Sequence, residues 1–376
     1  MNLIMSSKDF IIFHYLTKKI LFSVLAIILV LSLIIFGNQF FLVLNESLKN
    51  GLFGSEILPL MFFKFLRDFP FVLSFSVVLG TIYTLNRLSL SSELMILTNS
   101  GISDLKIFQR LGSLISLFVV IVLLLSFFIT PIAQFQVETF KENAKSRPDY
   151  IFFKPGIFQT FNNENITLFT SNVESSENGE SQLLDKVFIY SKENDRITIA
   201  KKGVKTIEPI SGNVFLKLSN GKIYDKFTYS KKNQISITSF DNFVIKLFDP
   251  SKNINTVKKD SPELKDFFLL LSEIRNNHDF AEVFYRISIP LSLIIMIILG
   301  IYISKSNPRS NKNFALGYGL ILYITYYNVI LFFKDLIHNE SGLNIINFLL
   351  PHLIFILLIF LIHSLRNNLL NLSLKK

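Results

Sequence analysis

The chain has no cysteine and no tryptophan. Without cysteine there are no disulfides and no thiolate metal ligands, so a water-facing part can sit in an oxidising compartment without needing a bridge. Charge is sparse as well. Only 18% of residues are charged while 50% are hydrophobic, and the mean hydropathy of +0.45 is higher than a soluble chain of 376 residues usually averages. No G-x-x-x-x-G-K-[ST] stretch occurs, which excludes nucleotide binding through a P-loop. Gly221-Lys222 lacks the earlier glycine and the helix. The five histidines show no metal-ligand spacing. His278, beside Asp279, reads as a solvated interfacial residue, and His352 and His363 read as structural residues flanking the last apolar run. Carboxylate pairs fall in loops or at interfaces, and no nucleophile stands out. No catalytic residue and no metal ligand is therefore assigned. The abundance of Phe (40 residues), with much Ile, Asn and Lys, reads as compositional drift more than chemistry.

What the chain does have is two apolar blocks around a polar middle. Runs near 20–44, 57–85 and 111–131 form the first block, and runs near 282–304, 314–333 and 345–365 form the second. Lengths near twenty residues match the hydrocarbon thickness of a bilayer. Leu21–Leu44 is the clearest, with no charge at all. No cleavable signal peptide is evident, because this run is too long for an h-region. The second run is the least clean. Lys64, Arg67 and Asp68 interrupt it, and Pro59 and Pro70 suit a helix start and a bend. The expected fold class is an α-helical membrane protein with six transmembrane helices, three plus three, and an inserted all-β, jellyroll-like domain. The expected domains are 1–131, 132–281 and 282–376.

Basic residues set the orientation. Lys8, Lys18 and Lys19 precede the first span; Arg87, Lys106 and Arg110 follow the second. Lys305, Arg309 and Lys312 follow the fourth; Arg366, Lys375 and Lys376 follow the sixth. Six spans put these four regions on one side, which the positive-inside rule makes cytoplasmic. Both termini are then expected inside and the β region outside. The net charge of +10 fits basic loops against anionic lipid, and no nucleic-acid partner is expected.

The middle reads as β. Asn165–Thr170, Lys186–Tyr190, Arg196–Ala200, Val214–Leu218, Gln234–Ser239 and Phe243–Phe248 are short runs rich in β-branched and aromatic residues. Asn220-Gly221 signals a hairpin turn between two of them. This spacing suggests a sandwich or jelly roll, not βαβ units. Phe188 and Phe215 are expected to face inward. Ser261–Arg275 reads as a helix that leads back to the membrane, with Ser261-Pro262 and Glu263 at its start.

Three local stretches carry function. In Ser91–Gly101, Leu94, Leu97 and the pair Met95-Ile96 give a short helix an apolar face. Ser92 caps it, Glu93 sits at the positive end of its dipole, and Gly101 ends it. It is either a surface connector or a helix that docks into a cytoplasmic partner. In Glu282–Arg286, opposite charges at i, i+4 pair on one helix face. That pair is either interfacial, with snorkelling side chains, or contacts an anionic head group or a neighbouring domain. Asn307-Pro308-Arg309 is a tight basic turn or part of the docking surface.

Together these stretches, in this order, resemble the YjgP/YjgQ family of lipopolysaccharide export permeases over essentially the whole chain. The resemblance rests on the three-plus-three layout, the β middle, SSELMILTNSGIS (Ser91–Ser103) and the start of span four. Tyr285–Pro290, Asn307–Arg309 and Lys154–Phe161 look more like the F-type subunit than the G-type. The resemblance implies a permease subunit of an ABC transporter in the bacterial inner membrane, with a periplasmic β-domain. Such a subunit extracts lipopolysaccharide from the outer leaflet and passes it to a periplasmic bridge. The implied partners are an LptG-like permease, an LptB-like ATPase dimer and LptC-like and LptA-like periplasmic proteins. The chain itself would hold no cofactor, since the partner ATPase binds ATP. By position Glu93 matches a glutamate of the family's coupling helix, so Ser92, Glu93, Leu94, Leu97 and Gly101 are the expected ATPase contact. Family members often carry basic residues at the outer end of span one, where this chain reads Gly37-Asn38-Gln39-Phe40. Lys64, Arg67 or Arg286 are the expected replacements as lipid head-group contacts, with Phe188 and Phe215 along a β-domain lipid path. The alternatives are the G-type subunit, or a membrane-anchored envelope scaffold without transport activity.

Overall fold

The structure, a computed structural model, describes residues 7–50, 54–99, 104–145, 153–161, 166–175, 181–208, 212–229, 232–248, 260–274, 276–304, 314–339 and 345–373. Six described helices are long and apolar enough to cross a membrane, and an antiparallel sheet is inserted between the third and the fourth. The chain clusters into two compact units. The helical unit comprises Met1–Phe40, Met61–Val137 and Lys259–Lys376, and the β unit comprises Phe41–Leu60 and Glu138–Lys258.

Helix α1 (Ser7–Asn50) contains the charge-free apolar run. Its 44 residues extend roughly 66 Å at 1.5 Å per residue, about twice the hydrocarbon thickness of a bilayer. Helix α2 (Gly54–Leu90) runs straight through Lys64, Arg67 and Asp68, so it holds those charges within a span. A short helix α3 (Glu93–Asn99) follows. Helix α4 (Asp104–Leu124) continues through a π-helical turn at Leu125–Ile129 into α5 (Thr130–Lys145). The turn has a local cause. Pro131 has no N–H to donate and crowds the preceding turn. The helix takes up the mismatch as a π-bulge, with the Thr130 N–H bonded to the Leu125 carbonyl.

The second half holds α6 (Phe267–Ser272), α7 (Asn277–Ile303), α8 (Ala315–Asn339) and α9 (Ile345–Ser373). Helices α2 and α7 form the interior, with 67% of each apolar window buried, against 11% for α1. Small residues permit the close approach, as expected where lipid gives helices no hydrophobic reason to associate. Ile82 of α2 is fully buried between Gly300 of α7 and Gly319 of α8. Gly80 lies directly against the backbone of Val24 in α1.

The β unit carries a seven-stranded antiparallel sheet. Its strands are β1 (Gln159–Phe161), β2 (Ile166–Phe169), β3 (Asn172–Ser175), β4 (Gln182–Ser191), β5 (Arg196–Ile207), β6 (Val214–Tyr229) and β7 (Lys232–Phe248). Strands β2 and β3 pair in series with β4, so the order is that of a meander. One face holds the core, built on Leu168, Leu184, Val187, Ile189, Leu216 and Leu218, with Phe153 packed on it.

Two local expectations need correction. Asn220-Gly221 is not a hairpin turn, because β6 runs through it as one strand. Asn220 takes a positive φ of 54°, and the ladder continues on both sides in unchanged register. Gly221 is required there, since a Cβ would strike the Phe240 ring and the Ile199 carbonyl oxygen. The stretch Ser261–Arg275 is not one helix either. It forms a 3-10 turn at Pro262–Leu264, an extended Lys265 and then α6.

Gly80 supplies a test of the α1–α2 contact. A Cβ there would lie 3.0 Å from both Val24 Cα and Val24 N, atoms that no rotamer change can move. Gly80→Val should cost about 1–3 kcal/mol through overpacking, read as a lowered Tm in detergent. Gly37→Ala, where nothing lies within 4 Å, should leave Tm unchanged.

Candidate functional site

Helix α7 begins at Asn276, whose side chain accepts from the Asp279 N–H at 2.9 Å. Starting there fixes which face carries Glu282 and Arg286, one turn apart. Arg286 Nε donates to Glu282 Oε1 at 2.9 Å, so the expected pair forms. Its surroundings are not those of a lipid contact. Arg286 has no exposed surface, and Nη1 donates to the Lys265 carbonyl at 2.8 Å. Nη2 donates to the carbonyls of Pro262 at 3.2 Å and Glu263 at 3.1 Å. The guanidinium therefore closes the 3-10 turn that precedes α6, and this fixation accounts for the break in the expected helix. The other Glu282 oxygen accepts from Lys334 of α8 at 2.8 Å. Arg286 is thus corrected from a head-group contact to a buried structural cation.

Lys64 and Arg67 separate in the same way. Lys64 is buried. Arg67 lines a cavity of about 270 Å³ with Asn38, Gln39, Asp68, Tyr285 and Tyr327 among its walls. Arg67 Nε donates to Asp68 Oδ1 at 2.8 Å, and Nη1 donates to Gln134 Oε1 at 3.2 Å. Gln39 of α1 donates to the other Asp68 oxygen at 2.9 Å. The π turn completes the wall. Ser126 donates to the Arg286 carbonyl at 3.0 Å and Thr130 to the Leu125 carbonyl at 3.2 Å. The uncharged Asn38-Gln39 pair of span one therefore meets the charges of span two in one pocket, whose walls also include Ile35, Pro70, Phe71 and Ile289. In this pocket Arg67 is the candidate cation, and its charge is already balanced by Asp68.

Helix α3 is held by its first residue. The Glu93 carboxylate accepts from Tyr15 OH at 2.7 Å, Lys19 Nζ at 3.2 Å and Ser91 Oγ at 3.0 Å. The Tyr15 hydrogen bond is the main reason its carboxyl sits below the usual value of 4.5, ahead of the opposing desolvation and the Lys19 charge. Ser92 opens the helix through its backbone: its carbonyl accepts from the Ile96 N–H at 3.1 Å, and its φ is 63°. Leu94 turns inward and is buried in the helical core, whereas Met95 and Ile96 are exposed. Of the expected contact residues, Leu94 is therefore enclosed and Glu93 half-exposed, while Met95 and Ile96 are the exposed apolar side chains of α3 among the described residues. The Leu97 side chain, Gly101 and Asn307–Arg309 lie outside the described residues.

In the sheet, Phe188 and Phe215 occupy the positions between the buried residues of their strands. They are half-buried and lie on the face opposite the core. Phe188 pairs across with Phe169 and Ile199, and its ring meets Phe158 edge-on. The inward placement expected for both is corrected. A positive φ at Lys186 kinks β4 between Leu184 and Val187, shifting the alternation that a regular strand would show. His352 does not flank its span but lies buried within it, between Ser288 at 3.2 Å and Tyr326 at 2.7 Å. His278 is exposed, with its ring 3.6 Å from that of His338.

Sequence reading missed Tyr15, Lys19 and Lys334 as partners. The i, i+4 spacing of Tyr15 and Lys19 put both on one face, a usable signal. Lys334 looked like a loop residue, yet a cation in a span generally has an acidic partner inside the protein.

Comparison with known proteins adds the following. Residues 14–364 match the family model for the lipopolysaccharide export system permease LptF/LptG. The chain is 21% identical over 320 residues to the lipopolysaccharide export system permease protein LptF of Escherichia coli K12, covering 84% of each chain. The protein of the same name from Shigella flexneri matches at the same 21%, again over 84% of each.

Two outcomes follow from the geometry. Arg286→Met leaves Glu282 buried beside Lys334 alone and removes three carbonyl partners, so it should cost about 3–5 kcal/mol of stability. A double-mutant cycle with Glu282→Gln, followed by thermal unfolding, should show strong non-additivity. For Glu93, the lowered pKa means its contribution is complete above the ordinary value of 4.5 and is lost as pH falls through the folded value. The protection of the α3 amides, measured against their intrinsic exchange rates, should therefore be flat from neutral pH down to that range and fall below it. Glu93→Gln should lower protection at neutral pH and converge with the wild type below the folded value.

Proposed function

The chain belongs to the LptF/LptG family of lipopolysaccharide export permeases, and from that premise we propose that it is the F-type permease subunit of an ABC transporter that extracts lipopolysaccharide from the inner membrane. The match over residues 14–364, which takes in all six apolar helices and the inserted sheet, carries this reading. The sequences Tyr285–Pro290 and Lys154–Phe161 support the F-type position. Basic residues between spans two and three support a cytoplasmic α3 and a periplasmic sheet.

The work to be done is large. Bringing a lipid chain into water costs about 0.8 kcal/mol per CH₂, or roughly 10 kcal/mol for ~14 carbons, and several times that for a multi-acyl lipid. The chain has no P-loop, so the energy comes from a partner ATPase. Helix α3 is its docking point: Met95 and Ile96 present the apolar surface, and the Glu93 contacts with Tyr15 and Lys19 tie the docked helix to α1. A second, homologous permease completes a lipid cavity against the exposed apolar faces of the spans. Arg67 is the head-group contact nearest to span one, acting beside Asp68 within that pocket. The β unit passes the lipid to periplasmic partners.

Co-purification in mild detergent tests the reading. A tagged copy should bring down an ATPase dimer, a second permease and lipopolysaccharide. Met95→Asp with Ile96→Asp should reduce ATPase recovery roughly tenfold or more, each tenfold being about 1.4 kcal/mol. Full ATPase recovery with that variant would remove α3 as the docking point. A pull-down containing only envelope proteins and no ATPase would favour a scaffold instead.

A further inference from the structure

A second cavity, of about 1170 Å³, opens between α1 and α2 at the end of the helical unit that carries α3. Its polar wall holds Lys18, Lys19, Arg87 and His14, with Glu93 as the one acidic side chain. Lys19 is paired with Glu93, so one of three permanent cations is neutralised there and the groove keeps an excess of positive charge. One turn further along α1 the wall becomes apolar, through Leu21, Phe22 and Leu25. Phe22 is 78% exposed and Leu25 62% exposed, and the same ridge continues to Leu29 and Leu33. The Thr17 hydroxyl oxygen, also in the wall, is buried with no hydrogen-bond partner among the described residues. Basic groups at the mouth and apolar side chains one turn deeper match the amphipathic profile of a single phospholipid: a phosphate at the rim and acyl chains along the ridge. Basic pockets between spans on the cytoplasmic side are suited to anionic head groups.

We propose that this groove binds an anionic phospholipid of the leaflet next to α3. Its phosphate sits between Lys18 and Arg87, and one acyl chain lies along Leu21, Phe22 and Leu25. The bound lipid then touches the wall that contains Glu93, so it shares a surface with the contact that holds α3 to α1. The groove lies apart from the Arg67 pocket, and the site stands whether or not the chain exports lipopolysaccharide.

Native mass spectrometry of the full chain, extracted with its partners from nanodiscs of mixed phosphatidylglycerol and phosphatidylcholine, tests the site. Wild-type protein should retain phosphatidylglycerol in preference to phosphatidylcholine. At roughly fivefold per basic side chain near the surface, Lys18→Gln with Arg87→Gln should weaken that retention about thirtyfold. Lys18→Arg with Arg87→Lys, which keeps both charges, should retain the lipid and so separates loss of charge from loss of fold. Equal retention of the two lipids, or undiminished retention by the glutamine variant, would overturn the proposal. So would protection of the groove by the ATPase, seen as crosslinks from Phe22 to that protein instead of to lipid.

Discussion

A charge placed in hydrocarbon has no water to turn to, and it must find its partners within the protein. Arg286 shows what that demand imposes. It is fully buried, and its donors reach a carboxylate and three backbone carbonyls. Those carbonyls belong to the 3-10 turn just before α6, so the turn exists in this form because the guanidinium holds it. Glu282 then needs a second cation for its free oxygen, and Lys334 of α8 supplies it. Helices α7 and α8 are locked at this level by electrostatics, while Ile82 between two glycines locks them further along by shape. Removing one member of such a buried set costs more than the set contributes as a whole. Its conservative reading is therefore structural.

The same demand distinguishes Lys64 and Arg67 of α2 from one another. Arg67 meets Asp68, Gln134 and a cavity, so protein encloses it only in part. Lys64 is enclosed. At the opposite end of the spans the rule relaxes, because side chains there reach water. Glu93 has three donors and remains half-exposed, so its contacts are of the kind that can be made and broken at modest cost.

The large features were legible because they are repeated signals. A charge-free run such as Leu21–Leu44 has one physical meaning, and alternation in Lys186–Tyr190 or Arg196–Ala200 has few. The errors occurred where a single residue type has several uses. Asn-Gly marks a hairpin when the chain reverses, but the same left-handed conformation at Asn220 also fits inside a long strand where Gly221 must pass Phe240 closely. Leu94 looked like a docking residue because it is apolar on a short helix, yet the anchoring of Glu93 rotates it into the core. Arg286 looked like a head-group contact because local spacing reveals Glu282 but not the carbonyls of residues 262–265. The spacing of Tyr15 and Lys19 places both on one face, but nothing local ties that face to Glu93, 78 positions from Tyr15.

Helix α1 links these observations. It is the least enclosed span, and it makes charged contacts at two well-separated levels. At one end Tyr15 and Lys19 hold Glu93 of α3, and at the other Gln39 holds Asp68 beside Arg67. Between them, Ser23 bonds Thr84 and Gly80 admits Val24, so α1 follows α2 closely in the half nearer α3. Lipid-facing Leu and Phe side chains offer little resistance to sliding or rotation, because hydrocarbon is as good a neighbour in one position as in another. Hydrogen bonds to Glu93 and Asp68 are directional and do resist. A displacement of α3 therefore acts on α1 through Tyr15 and Lys19, as it acts on α2 through the two-residue Ser91-Ser92 connection. A rod of helix carries that displacement to Gln39 with little loss, since its own backbone bonds are stronger constraints than its lipid contacts. The span with the smallest buried share is, for that reason, the one best placed to relate the two polar levels of the unit.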